Sequence, residues 1–459
     1  MRKLIATIAF ALAGLSAAPA VVAAQSAGDF APGELLVRFE PGGERLLRLP
    51  ERISVTEAAD ALGGNPSVRY AVPNYLARAA AVPNDPGMTG TPGDWRRAQW
   101  NFLPCGSLCG QPSQAPFEAK GGIDAVGAWD VLAQRGVAGA KGVRVAILDT
   151  GIAFRNKKPG FRKSPDFGAK QFLPGLDAVK KGRSKKGKVK KKGDYLPLDR
   201  EGHGTHVAGT IAERTNNGVA LTGLASRARI IPVRVLDSQG IGTARDIARG
   251  IRYASKSGAD VINMSFEFSL SVNSCNRIKS VCRAIRRAAK RGAVIVSAAG
   301  NSNGEPIAFP GAAPRVVGVG RTTKDACLAD QSRTGGGLDL VAPGGGLPLS
   351  TTCGTDDQLF SRDVPIFQLT FSGPSFRRFG YPFGYEGTSM ASSHVSGVAA
   401  MVIASGVVGK DPAPLTVECQ LRGTARTTTA QLGQPYDPRF FGSGLLDAAA
   451  AVTARAPGC

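Results

Sequence analysis

The stretch GVRVAILDTG, residues 142–151, is apolar from Val143 to Leu148 apart from Arg144 and ends in an acid and a glycine turn. It is too short for a helix and has no polar face, so it reads as a strand buried on both sides. Four further runs have the same character: ARIIPVRVL (228–236), DVINMSF (260–266), AVIVSAAG (293–300) and RVVGVG (315–320). Helical patterns lie between or beside them: HVAGTIAE, ARDIARGIRYASKSG and VCRAIRRAAKRG, the last stopped by Gly292. Strands of this kind alternating with helices predict an α/β fold, a mostly parallel central sheet covered by helices on both faces.

What precedes this region differs in kind. MRKLIATIAFALAGLSAAPAVVAA has two cations, an apolar run and a small-residue end, and reads as a signal peptide over residues 1–24. GELLVRF, VTEAADALGG and SVRYAVPNYLAR then read as strand, helix and strand of a small α+β unit, before a Pro/Gly/Asn-rich connector near residue 83. No later run is long and apolar enough to span a bilayer. Eight cysteines follow an export signal, so four disulfides are expected. Eight cysteines allow 105 connectivities. Proximity favours Cys105–Cys109 and Cys275–Cys282, leaving Cys327–Cys353 and Cys419–Cys459.

The 459-residue chain carries a formal charge of +22. That describes encounter with acidic partners, not fold. Much of it sits in residues 179–194, VKKGRSKKGKVKKKGD, which reads as a solvated loop or a contact for a polyanion.

Chemistry in such sheets gathers at the carboxyl ends of the strands. Asp149 ends its strand, and His203 opens a helix in REGHGTHVAGT (200–210). Ser389 lies at a helix start in GTSMASSHVSGVAAMV. An acid, an imidazole and a helix-capping serine are the parts of nucleophilic acyl transfer. His203 and His206, two of only three histidines, admit three readings: metal ligands, a base with a neighbour, or packing. No HExxH pattern is present, which excludes that class of zinc protease.

The order Asp, His, Ser is the subtilisin order. VAILDTGI, GHGTHVAGTIA and GTSMASSHVSG, with DVINMS and SAAGN between, resemble the active-site segments of the subtilisin-like serine proteases. The resemblance runs from about residue 83 to 452 and implies the three-layer fold of that family, with a seven-stranded core. It implies Asp149, His203 and Ser389 as the triad and Asn301 as the oxyanion-hole amide. His206 and His394 would be structural. Ser265, Phe266, Glu267, Ala299 and Gly300 would bind substrate. Glu267 stands where the family usually has Gly, and a carboxylate there would favour basic or polar side chains before the cut. The segment AFPG makes Pro310 a candidate cis-proline.

The same resemblance implies structural calcium. Its ligands would be Asp85, Asp166, Asn217 and the carbonyls of Thr215, Val219 and Leu221, an all-oxygen set that suits Ca²⁺. Residues 25–82 would be a short inhibitory prodomain, removed within 78–83, and residues 83–459 the peptidase domain with 179–194 as a basic insertion. The expectation is a secreted serine endopeptidase, extracellular or periplasmic, acting as a monomer on protein or peptide substrates. The rivals are a catalytically dead binding protein, which would need a broken triad, and a polyanion-binding protein resting on charge alone.

Overall fold

The computed structural model describes residues 30–50, 53–75, 83–109, 117–179, 196–350, 353, 364–427 and 435–459. The signal-peptide reading, the maturation window of 78–83 apart from its last residue, and the lysine-rich run from residue 180 lie outside these. The chain divides into a unit of residues 1–80 and one of residues 81–459.

In the first unit, Phe30–Phe39 (β1) pairs antiparallel with Glu44–Arg48 (β2) on one side and with Val68–Tyr75 (β3) on the other. The helix Val55–Gly63 (α1) starts at Ser54, whose hydroxyl accepts from the Glu57 amide. Its Val55, Ala58, Ala59 and Leu62 pack on Leu35, Val37 and Phe39. Sequence reading found β1, α1 and β3 but no element at β2. All but one of the β2 side chains are exposed, so no apolar pattern marks it.

The second unit is built on seven parallel strands. They are Arg144–Asp149 (β4), Leu176–Asp177 (β5), Arg229–Arg234 (β6), Val261–Met264 (β7), Val294–Ala298 (β8), Val317–Thr322 (β9) and Leu340–Pro343 (β10). Their order across the sheet is β10-β9-β8-β7-β4-β6-β5. The sheet separates two apolar layers, and β4 shows why it has no polar face. Val145 and Ile147 enter one core, while Ala146 and Leu148 enter the other. Burying an aliphatic side chain of this size contributes about 1.5–3 kcal/mol.

The helices Ala125–Gln134 (α2), His203–Ala212 (α3) and Thr388–Ser405 (α6) pack into the first layer. Ala244–Lys256 (α4) and Lys279–Lys290 (α5) cover the other face. The helix α6 is buried along nearly its whole length, which is why its sequence is small and apolar all round. Strand β9 begins two residues later than the RVVGVG run, because Arg315 has positive φ and precedes the pairing with β8.

All four disulfides join the pairs that proximity suggested: Cys105–Cys109, Cys275–Cys282, Cys327–Cys353 and Cys419–Cys459. The peptide bond before Pro310 is cis. Among the described residues no helix is long and apolar enough to cross a membrane.

Candidate active site

The sheet changes direction of growth at β4, whose neighbours are β6 on one side and β7 on the other. A crevice opens at the carboxyl ends of strands at such a point. Asp149 ends β4 there and is fully buried. Its Oδ1 accepts from the Thr150 amide at 2.7 Å and from His203 Nδ1 at 2.8 Å. A carboxylate on Nδ1 fixes the imidazole tautomer that leaves Nε2 able to accept a proton.

His203 is the first residue of α3, and that helix start is held by an acid. The Asp199 carboxylate accepts from the amides of Glu201, Gly202 and Thr205 and from the hydroxyls of Thr150 and Thr205. This is capping carried out from four residues upstream, and it binds the helix to the turn after β4. The sequence signal was an acid just before a helix start, and sequence reading passed over Asp199.

Gly204 is needed for close approach. A Cβ there would lie 2.1 Å from the Gly151 carbonyl oxygen and 3.0 Å from the Asp149 Cβ. The room Gly204 provides is therefore between α3 and β4, letting His203 reach Asp149.

The His203 ring is 24% exposed. Burial draws its pKa down, but the charge and hydrogen bond of Asp149, with Glu201 and Asp199 nearby, outweigh that and push it up to about 9. His206, one turn on, is in a different situation. Its Nε2 donates to the Ile366 carbonyl at 2.8 Å, and its ring stacks on Tyr385 at 4.2 Å. Burial pushes its pKa down to about 3, so it is neutral. His394 bonds the Met390 carbonyl through Nδ1 and the Asn101 amide through Nε2. Burial takes its pKa to about 4.

Ser389 is the second residue of α6 and 8% exposed. Its hydroxyl donates to the Ser265 carbonyl at 3.1 Å rather than to His203. Below it lies a buried polar network. The Ser265 hydroxyl donates to the Ser389 carbonyl and bonds Ser392, Asn263 donates to Ser265, and Ser396 donates to Asn263. The Ser265 side chain is thus committed to the α6 helix start and only its main chain remains for a substrate.

Asn301 follows β8. Its Oδ1 accepts from the Thr388 amide at 2.9 Å and the Thr388 hydroxyl at 3.1 Å. That hydroxyl in turn accepts from the Gly300 amide. With Oδ1 fixed this way, the Nδ2 hydrogens are the ones Asn301 can offer. Ala299 and Phe266 are buried, whereas Glu267 is exposed. The Glu267 carboxylate folds onto the same loop. Oε1 accepts from the Asn301 amide at 3.1 Å, and Oε2 lies 2.5 Å from where a Cβ on Gly300 would be.

At the other end of α3 the two carboxylates of the calcium expectation meet. Asp85 and Asp166 are both fully buried. Asp85 accepts from the amides of Asn216 and Asn217, and Asp166 accepts from the Asn217 side-chain nitrogen at 2.7 Å. Burial raises the pKa of both, that of Asp166 to about 8, and Asp166 Oδ2 has no partner among the described residues. Glu213, buried nearby and raised by the same cause, was missed by sequence reading.

Buried hard oxygens with an orphaned carboxylate atom fit a Ca²⁺ ion. Two features count against a ready-made cage. Asn217 turns its nitrogen to Asp166 and its oxygen to the Val219 amide, so its amide would have to turn over to act as a ligand. Among the described residues no three His, Cys, Asp or Glu side chains form a metal cluster.

A profile of the subtilase family matches residues 140–444. The chain belongs to the subtilase family. It is accordingly classed with the subtilisin-like serine proteases, which are hydrolases. A thermophilic serine proteinase of Bacillus sp. (strain AK1) is 32% identical over 353 residues, 77% of this chain and 67% of that protein. Subtilisin Savinase of Lederbergia lenta is 32% identical over 69% of this chain and 93% of its own length. An extracellular basic protease of Dichelobacter nodosus is 31% identical over 91% of this chain and 64% of that protein. The match to several of these relatives thus spans about two thirds of their length. Among solved structures, a protease of Pseudoalteromonas arctica aligns with a TM-score of 0.59 at 32% identity, covering 81% of this subtilase and 98% of that chain.

Proposed function

We propose that this subtilase is an exported serine endopeptidase, with Ser389 as nucleophile, His203 as general base and Asp149 orienting it. The observation that carries the reading is the 2.8 Å bond from His203 to a fully buried carboxylate at a strand end. On substrate binding the Ser389 hydroxyl turns from the Ser265 carbonyl to His203 Nε2 and attacks the scissile carbonyl. The amides of Asn301 and of the Ser389 backbone receive the oxyanion, and His203 returns the proton to the leaving amine. Ser265, Phe266, Glu267, Ala299 and Gly300 line the path of the peptide, and Glu267 biases it toward basic side chains.

The four disulfides and the extracellular relative support export, to the medium or a periplasm. Residues 25–82 act as a prodomain, and the mature enzyme is a monomer. A fluorophosphonate probe, which phosphonylates activated serines, tests the catalytic reading. Labelling of a single serine, in the peptide holding Ser389, is expected. Labelling of another serine, or of none in active protein, sinks it.

We also propose that Asp85, Asp166 and Asn217, with the carbonyls of Thr215, Val219 and Leu221, hold Ca²⁺. The ion would offset the charge of the two buried carboxylates, tying the segment around residue 85 to the loop after α3. Thermal melting should fall by several degrees in chelator and recover with added Ca²⁺. The scale follows from linkage, since a ligand at about 100 times its Kd contributes about 2.7 kcal/mol. Identical midpoints with and without chelator would remove the ion.

A further inference from the structure

The helices on the sheet face away from α3 and α6 carry a charge pattern that catalysis does not use. Helix α4 exposes Arg245, Arg249, Arg252 and Lys256, at spacings of four, three and four that place them along one side. Helix α5 repeats the spacing with Lys279, Arg283, Arg286 and Lys290. The two helices pack against each other. Between their last turns Arg252, Lys256, Arg287, Lys290 and Arg291 line a cleft of about 220 Å³ with Ser255 and Ala284. The Ser255 hydroxyl is buried without a hydrogen-bond partner.

Neither helix supplies an exposed acid to offset these cations. Asp246, the one carboxylate of α4, is buried at the helix start and accepts from the Thr243 hydroxyl. Helix α5 has none, and Asp260 beyond α4 is held by Arg144. Among the described residues none of the five cleft cations has an ion-pair partner. Five like charges around one cleft repel each other, and a bound anion relieves that repulsion.

The shape of the surface says which anion. The cleft is lined by no aromatic ring, so the bases of a single-stranded nucleic acid have nothing to stack on. Neither helix exposes a large apolar side chain among the described residues, so a bilayer has no wedge to hold. What remains is two parallel rows of guanidinium and ammonium groups, which suit repeated sulfate or carboxylate groups on a linear chain.

We propose that the α4–α5 face binds an acidic polysaccharide. The cleft lies at the carboxyl ends of these helices, beside the first residues of β7 and β8. Asp149, Ser265 and Asn301 lie at or beyond the opposite, carboxyl ends of the strands. A bound polysaccharide therefore leaves the catalytic crevice clear, and the enzyme can work while held. The binding does not rest on the catalytic reading.

Heparin titrated against the full chain at several salt concentrations tests this. The variant Arg252→Gln/Arg287→Gln/Lys290→Gln/Arg291→Gln should bind at least about tenfold more weakly near 0.1 M salt. Its log Kd should also depend less steeply on log salt, because fewer counterions are released. Its melting temperature and its hydrolysis of a short peptide should not change. A second variant, Arg252→Lys/Arg287→Lys/Arg291→Lys, keeps the charge and should keep most of the affinity. Unchanged heparin binding in the Gln variant overturns the proposal. So does a loss seen only when the cations of 179–194 are replaced. Tighter binding of a 20-base-pair DNA duplex or of phosphatidylglycerol vesicles than of heparin, at equal salt, overturns the choice of polysaccharide.

Discussion

Replacing Ser389 with Ala should lower kcat about 10⁶-fold, and adding His203→Ala should cost little more. The scale is one measured in subtilisin and carried here by family membership, not by these distances. The non-additivity follows from the proposed roles. His203 has no proton to take once the serine hydroxyl is gone, and the serine has no base once the imidazole is gone. Either loss removes the same step.

The residual rate comes from the parts left intact. Asn301 remains fixed by Thr388, and the second proposed donor, the Ser389 backbone amide, does not depend on its side chain, so an oxyanion should still be stabilised. Turnover of a chromogenic peptide by the two single variants and the double variant measures this. Two independent factors that multiply in the double variant would separate the residues into unrelated roles. A Ser389→Ala protein that keeps a hundredth of the wild-type kcat would show another nucleophile.

The parts of this site that could be read in the sequence are those that are local. Asp149, His203 and Ser389 each sit at a strand end or helix start, where a turn, a glycine and an apolar run announce the geometry within ten residues. Strand β4 was legible for a related reason, since a segment buried on both faces has no polar positions. What escaped depends on partners far along the chain. Asp199 looks like an ordinary loop acid until Thr150, 49 residues earlier, is seen to donate to it. Strand β5 is two residues long and exists only through its pairing with β6, where Asp177 also meets Arg234. The four residues of β10 are defined in the same way by β9.

Glu267 is the instructive case. Its position beside the crevice followed from family resemblance and reads as a free carboxylate for basic substrates. The bond to the Asn301 amide gives that carboxylate a prior occupation. A basic substrate side chain would have to share it. The two histidines of GHGTH separate on the same principle. Spacing alone leaves a metal pair open, whereas Asp149 on one ring and the Ile366 carbonyl with Tyr385 on the other give them opposite electrostatics.

Those electrostatics make the second prediction. A general base works only when unprotonated, so activity should rise with pH through the pKa of His203. Burial opposes the imidazolium, but Asp149 overcomes it and holds the pKa near 9. The acid limb of kcat/KM should therefore lie well above the ordinary imidazole range near 6.5. In Asp149→Asn the charge that raised the pKa is gone while the burial that lowers it stays, so the limb should move down in pH.

The rate should fall at the same time by about 10⁴, the magnitude found for this substitution in a trypsin-like triad. The cause is tautomeric. An Asn amide can turn its nitrogen to Nδ1, which puts the imidazole proton on Nε2, where Ser389 needs an acceptor. Conformational stability should respond in step. Because the folded pKa is raised, the Asp149–His203 pair stabilises the wild type fully below about 6.5, and that contribution is lost as pH rises through 9. The Asn variant should lack this loss. Profiles of kcat/KM and urea stability from pH 5 to 11 test both. An acid limb that stays put in Asp149→Asn would mean that Asp149 does not set the charge on His203, and the proposed triad would lose its Asp149–His203 link.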